Sequence, residues 1–237
     1  MHVRFLKKTF FINTVFLVFF ALLFLFFPKL DIYLSNLFYI DDQFISEKYT
    51  FIKSLRSSLK NLMISIPLFA IIILVLNFIN KKQKIKKLIN QRTKFALFGL
   101  IIGPIVGCGI IANLYFKDTW GRARPVHIKE FGGNKIFTPA FKKSDQCERN
   151  CSWISGEASA AFSFLVGTIL LKNHVFFAYN LMLGFAVFFC RISMGGHFFS
   201  DNIFAMIFMI YLAILYKNII YSCLKRRLLY EKSFSNN

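Results

Sequence analysis

The chain has 237 residues, 56% of them hydrophobic, a mean hydropathy of +0.54 and 32 phenylalanines, more apolar surface than one soluble core of this size can bury. Charged residues make up 17%, short of the roughly 25% of an average soluble domain, and 30 Lys and Arg stand against 11 Asp and Glu for a net charge of +19. These charges argue against a nucleic-acid-binding domain, because they lie between long apolar runs instead of sharing a soluble face with exposed aromatics; what remains is an all-α polytopic membrane protein.

Six stretches are long and apolar enough to cross a bilayer: 10–27, 61–80, 95–115, 156–172, 175–190 and 200–221. The first follows Arg4, Lys7 and Lys8 but runs into Pro28-Lys29-Leu30 without a small-residue cleavage site, so it reads as a retained span and not a signal peptide. Residues 29–60 are polar with periodic Leu34, Phe38, Ile45 and Ile52, the pattern of an interfacial amphipathic helix or of a packed connecting loop. Between the second and third spans, Lys81, Lys82, Lys84, Lys86 and Lys87 form a compact run with no acidic residue. By the positive-inside rule that run is cytoplasmic. An even number of spans then puts both termini there, with 218–237 a basic cytoplasmic tail and the loop from Phe116 to Ser155 outside. No internal repeat or linker divides residues 1–237, which read as a single domain whose motifs fall within 117–201.

Three polar clusters fall at span ends on the outer side. Lys117 to Pro125 (KDTWGRARP) follows the third span, Ser155-Gly156-Glu157-Ala158-Ser159 opens the fourth, and Arg191 to Asp201 (RISMGGHFFSD) joins the fifth to the sixth. Phosphoryl transfer needs cations for the equatorial oxygens, an in-line nucleophile and an acid for the leaving group. Lys117, Arg124 and Arg191 supply charge, the arginines as bidentate forks, and Ser155 and Gly156 offer the free N–H groups of a helix start. His197 and Asp201, four apart, share a helical face, so the carboxylate is expected to hold the imidazole with one nitrogen free to attack. Gly195 and Gly196 let the backbone come close to the phosphate. Cys108, Cys190 and Cys223 lie in or beside apolar spans as small hydrophobes. Cys147 and Cys151 flank Glu-Arg-Asn in the outer loop; on one helical turn they are within reach of a disulfide, which would need an oxidising compartment.

Lys117-x6-Arg124-Pro125, Ser155-Gly156 and Arg191-x5-His197-x3-Asp201 resemble the three ordered motifs of the type-2 phosphatidic acid phosphatase superfamily, over most of residues 95–221. Tryptophan-Gly-Arg-Ala-Arg-Pro, Ser-Gly-Glu-Ala-Ser and Gly-Gly-His-Phe-Phe-Ser-Asp, with Cys-x3-Cys just before the second, are similar to the lipid A phosphatase branch, above all the 4'-phosphatase type. The resemblance implies a lipid phosphate monoesterase with a phosphohistidine intermediate on His197 and no metal or other cofactor. It also implies lipid A as substrate, at the periplasmic face of a Gram-negative inner membrane. The sequence departs from the family at one point: Glu157 stands where the second motif usually has the histidine that acts as general acid. Glu157 is expected to take that role, with His127 the other candidate, and Arg122 is expected as an extra cation for phosphate or sugar, or as a headgroup anchor. Other readings are a phosphatase for phosphatidylglycerophosphate or a polyprenyl pyrophosphate, or, in a different class, an inactive lipid-phosphate-binding or transport protein. No motif specifies an oligomeric state.

Overall fold

The computed structural model describes residues 2–82, 89–117, 119–171 and 173–235, with side chains from Leu6 to Leu224. Lys84, Lys86, Lys87 and Lys172, and the side chains of the basic tail beyond 224, lie outside the described residues. Helix α1 (His2–Phe26) is followed by α2 (Leu30–Asn36), a two-stranded hairpin of β1 (Tyr39–Ile40) and β2 (Gln43–Phe44), α3 (Ile45–Lys48) and α4 (Thr50–Lys82). Helix α5 (Gln91–Pro104) continues with π-helical pitch over Ile105–Lys117. After the long loop that ends at Ser155 come α6 (Gly156–Ser163), α7 (Leu165–Leu171), α8 (His174–Ser193) and α9 (Phe199–Ser235).

Among the described residues, α1, α4, α5 with its π-helical extension, α8 and α9 are long and apolar enough to span a membrane. Their outward side chains stay uncovered, with Phe11 at 68% and Phe26 at 75% exposure, which water would penalise and lipid does not. The chain is a multi-pass membrane protein. The fourth expected span is an interrupted element, α6 and α7 divided at Phe164. At 1.5 Å per residue it is about 24 Å long, short of the roughly 30 Å hydrocarbon core, and nearly all of it is buried among the other helices. The second span starts earlier than expected: residues 50–60 belong to α4, so the segment between the first two spans reduces to 27–49, with α2, the hairpin and α3 packed on the bundle end. Asp41 and Asp42, both at positive φ, make the two-residue turn whose twist suits a hairpin.

Helix α5 crosses α7 at backbone contact distance: a Cβ on Gly99 would lie 2.7 Å from both Gly167 Cα and Val166 O. Pro104 brings no N–H to the α-helical ladder, and the pitch widens immediately after it. The bundle core under this long loop is aromatic, with Trp153 packed on Trp120, Phe141 and Phe204 and Phe116 stacked on Phe208.

Candidate active site

The end of the π-helical segment, the start of α6, the end of α8 and the start of α9 meet at one end of the bundle. Ser155 caps α6, its Oγ accepting from Ala158 N–H at 3.4 Å, and its own N–H donates to the Asp201 carbonyl at 3.2 Å, which ties α6 to α9. A Cβ on Gly156 would lie 3.0 Å from Lys117 Nζ, so that ammonium sits beside the free N–H groups of the helix start, a ready anion site. Lys117 Nζ donates to Asn150 Oδ1 at 3.0 Å, and Arg124 donates to the Asn150 carbonyl from Nε at 3.1 Å and Nη2 at 2.8 Å. Asn150 lies in the short loop closed by the Cys147–Cys151 disulfide, Cα–Cα 5.6 Å.

Between α8 and α9 the chain turns through Gly195, at φ +58° with the Phe44 ring packed where a Cβ would be; an L side chain is disfavoured there on both counts. The turn lays Gly196 against the Arg191 guanidinium and brings His197 into the interior, 1% exposed. Its Nδ1 lies 2.7 Å from the Ser152 carbonyl. A carbonyl only accepts, so Nδ1 carries the proton and Nε2 keeps its lone pair. Burial, then Arg191, Arg124 and Lys117, hold the His197 pKa well below the ordinary imidazole value, which keeps the ring neutral.

The direct Asp201–His197 hydrogen bond expected from their spacing is replaced by an indirect one. Asp201 Oδ2 is 3.6 Å from Nδ1 and instead accepts from Ser152 Oγ at 2.5 Å and Phe198 N–H at 2.8 Å. Arg122, expected as a cation for phosphate or sugar, is fully buried, and its guanidinium donates to Thr138 O, Ser200 Oγ, Asp201 and Asp31. Glu157, expected as the acid, sits among cations. Both its oxygens accept from Arg56, a residue of α4, and Arg191 Nη1 lies 3.6 Å away. Arg191 Nε is buried without a protein partner. His127 lies exposed on the turn after Arg124, its pKa lowered by burial and by Arg124 and Lys135.

Ser152, Asn150, Asp31 and Arg56 complete the site without belonging to any of the three motifs. They reach it across long sequence separations, 91 residues for Asp31 with Arg122 and 101 for Arg56 with Glu157. Only Asn150 and Ser152 carried a hint, through the cysteines that flank or adjoin them.

This convergence of cations, helix start and neutral histidine at a bundle end supplies the anion cradle and the nucleophile of phosphoryl transfer, and the PAP2 superfamily matches residues 92–225. The chain belongs to that superfamily and is a membrane lipid phosphatase, a phosphoric monoester hydrolase. Among its relatives is the lipid A 4'-phosphatase of Francisella tularensis subsp. novicida (strain U112), 37% identical over 197 residues, 80% of this chain and 86% of the relative. The lipid A 4'-phosphatase of Rhizobium leguminosarum is 28% identical over 74% of this chain and 80% of its own length. That of Rhizobium etli is 28% identical over 74% and 73%. The similarity is thus to the 4'-phosphatase type, as the motifs implied. No solved structure matches the chain.

Proposed function

We propose that the chain removes the 4'-phosphate of lipid A through a phosphohistidine on His197, at the periplasmic face of the inner membrane. The observation that carries the mechanism is the His197 ring: neutral, held by Nδ1–H on the Ser152 carbonyl, and ringed by Arg191, Arg124 and Lys117. The substrate class follows from the relatives' names and the coverage of both chains.

In this reading Lys117, Arg124 and Arg191 hold the phosphoryl oxygens, Arg191 through the donor that lacks a protein partner, with the N–H groups at Ser155 and Gly156 completing the cradle. Nε2 attacks phosphorus and the N–P bond forms as the bond to the lipid oxygen breaks; that oxygen takes a proton from solvent water, and a water then attacks phosphorus, breaking the N–P bond to release inorganic phosphate and the neutral ring. Stabilising the charge spread over three oxygens supplies most of the acceleration. Glu157 serves as the anion that spaces and aims Arg56 and Arg191. The Cys147–Cys151 bridge suits the oxidising compartment outside the inner membrane.

The test is phosphate release by purified protein from defined bis-phosphorylated lipid A, with products mapped by mass spectrometry and His197→Ala as the inactive control. Loss of the 4'-phosphate alone supports the reading. Intact lipid A with release from phosphatidylglycerophosphate or a polyprenyl pyrophosphate would move the substrate elsewhere, and no release from any lipid phosphate would return the chain to a binding or transport role.

A further inference from the structure

We propose that Asp31 is a positioning residue of the reaction, acting on His197 through a buried relay of Arg122, Asp201 and Ser152. The proposal rests on His197 being the nucleophile.

Asp31 belongs to α2, outside the family match. Its Oδ2 accepts from Arg122 Nη2 at 2.7 Å and from Ser200 Oγ at 2.5 Å, and its Oδ1 accepts from Ser200 N–H at 2.9 Å. Arg122 Nη1 reaches Asp201 Oδ1 at 2.6 Å and Ser200 Oγ at 2.9 Å, and Nε reaches the Thr138 carbonyl at 2.8 Å. From Asp201 the chain of bonds runs to Ser152 Oγ, and the Ser152 carbonyl takes Nδ1–H of His197. Ser152 is also held from behind, its N–H donating to the Arg122 carbonyl at 2.8 Å. Arg122 therefore fixes one side of Ser152 and Asp201 the other, and Asp31 fixes Arg122.

The setting makes this more than a tether for α2. Asp31, Arg122, Ser152, Ser200 and Asp201 are fully buried, and the guanidinium lies 4.2 Å from the Phe198 ring centroid, with Phe137 and Trp153 beyond. Ions in so dry a place are costly unless every group is matched, and here three donors converge on each carboxylate, the pattern of its ionised form. Burial raises the pKa of the Asp31 carboxyl and the Arg122 guanidinium lowers it; the three donors on it favour the ionised form, and two ionised carboxylates around one guanidinium leave a net negative charge behind a ring that becomes positive when it is phosphorylated. Without Asp31, Arg122 bears on Asp201 alone. The charge behind the ring is then cancelled, and Ser152 loses the fixed partner that sets its carbonyl against Nδ1–H.

The experiment compares Asp31→Asn, Ser200→Ala and Ser152→Ala with the wild-type enzyme in detergent. It uses phosphate release from a lipid phosphate substrate and inhibition by inorganic phosphate, which reports the cation cradle independently. Asp31→Asn is expected to lower kcat by about tenfold or more while KM and the inorganic phosphate Ki stay within about twofold, the signature of an interaction made in the transition state. Ser200→Ala keeps both charges and removes one hydroxyl, and Ser152→Ala keeps the carbonyl; each is expected to lower kcat by about threefold or more at unchanged Ki. Wild-type kcat in Asp31→Asn, with only thermal stability reduced, would overturn the proposal. If Asp31→Asn does not fold, wild-type kcat in both serine variants overturns it. His197→Ala separates the two levels: turnover by that variant removes the nucleophile and the relay with it, whereas its inactivity beside active relay variants removes the relay alone.

Discussion

Glu157 occupies the position of an acid but is surrounded as an anion. If it orders Arg56 and Arg191, Glu157→Gln and Arg56→Ala should each raise KM by roughly tenfold, about 1.4 kcal/mol of uniform binding, with kcat little changed. The double variant should be no worse than either single one, because both remove the same pair. A Glu157→Gln enzyme that loses kcat while still forming phosphoenzyme from a substrate with a good leaving group would restore the carboxyl as acid. The imidazole gives a second expectation. Burial and three cations lower the His197 pKa, so the folded ring resists a proton that an unfolded one takes up near pH 6.5. The kcat profile should therefore stay level as pH falls through 6.5, with its acid limb below that of a free imidazole. By the same sign, His197 withdraws stability as pH drops below 6.5, where the unfolded chain binds the extra proton; a melting series on wild type and His197→Ala would show the difference narrowing the acid sensitivity. The motif residues were legible because the phosphate chemistry demands those types at set spacing. Asp31, Arg56 and Ser152 were not, since their roles come from contacts between distant segments that no local pattern encodes. For a related reason nothing in the basic motif around Arg122 shows that two carboxylates hold its guanidinium.

At the scale of elements, hydropathy located the spanning helices because each needs an apolar run of bilayer length, whereas the break at Phe164 and the π-helical pitch after Pro104 depend on neighbours and left no such trace. The α5–α7 crossing shows how narrow the packing is. At Gly99 an added Cβ meets backbone, which cannot swing aside, so Gly99→Val should cost at least the roughly 1–3 kcal/mol of overpacking and lower the melting temperature in detergent. Such a change lies far from the cradle along α5, so kcat per folded molecule should survive. The loop closed by Cys147 and Cys151 is the opposite case, short and directly on the site. It carries Asn150, which engages Lys117 and Arg124, and leads into Ser152. Reducing the disulfide should lower kcat/KM by roughly tenfold, about 1.4 kcal/mol, and a Cys147→Ser/Cys151→Ser enzyme should match the reduced protein and ignore reductant. Unchanged turnover after verified reduction would make the bridge a matter of loop durability only.

For the whole molecule the open quantity is orientation, and the chain carries its own probe. Helix α9 begins at the site with Phe199 and reaches Cys223 after about 36 Å at 1.5 Å per residue, more than the roughly 30 Å hydrocarbon core. Cys223 is exposed, so it marks the face opposite His197 and Asp201. By the positive-inside rule the lysine-rich sequence that follows α4 predicts a cytoplasmic location for that face, and the proposed periplasmic cradle rests on that prediction. A membrane-impermeant maleimide should therefore leave Cys223 unmodified in intact spheroplasts and modify it in inverted vesicles, with Cys223→Ser removing the signal in both. Cys147 and Cys151 stay silent while bridged, Cys190 is buried, and Cys108 lies within the span of α5 and its extension, so the serine variant isolates the one informative thiol. Modification from outside would reverse the bundle and turn the cradle toward the cytoplasm, where the fold could remain intact but the proposed periplasmic substrate could not reach it.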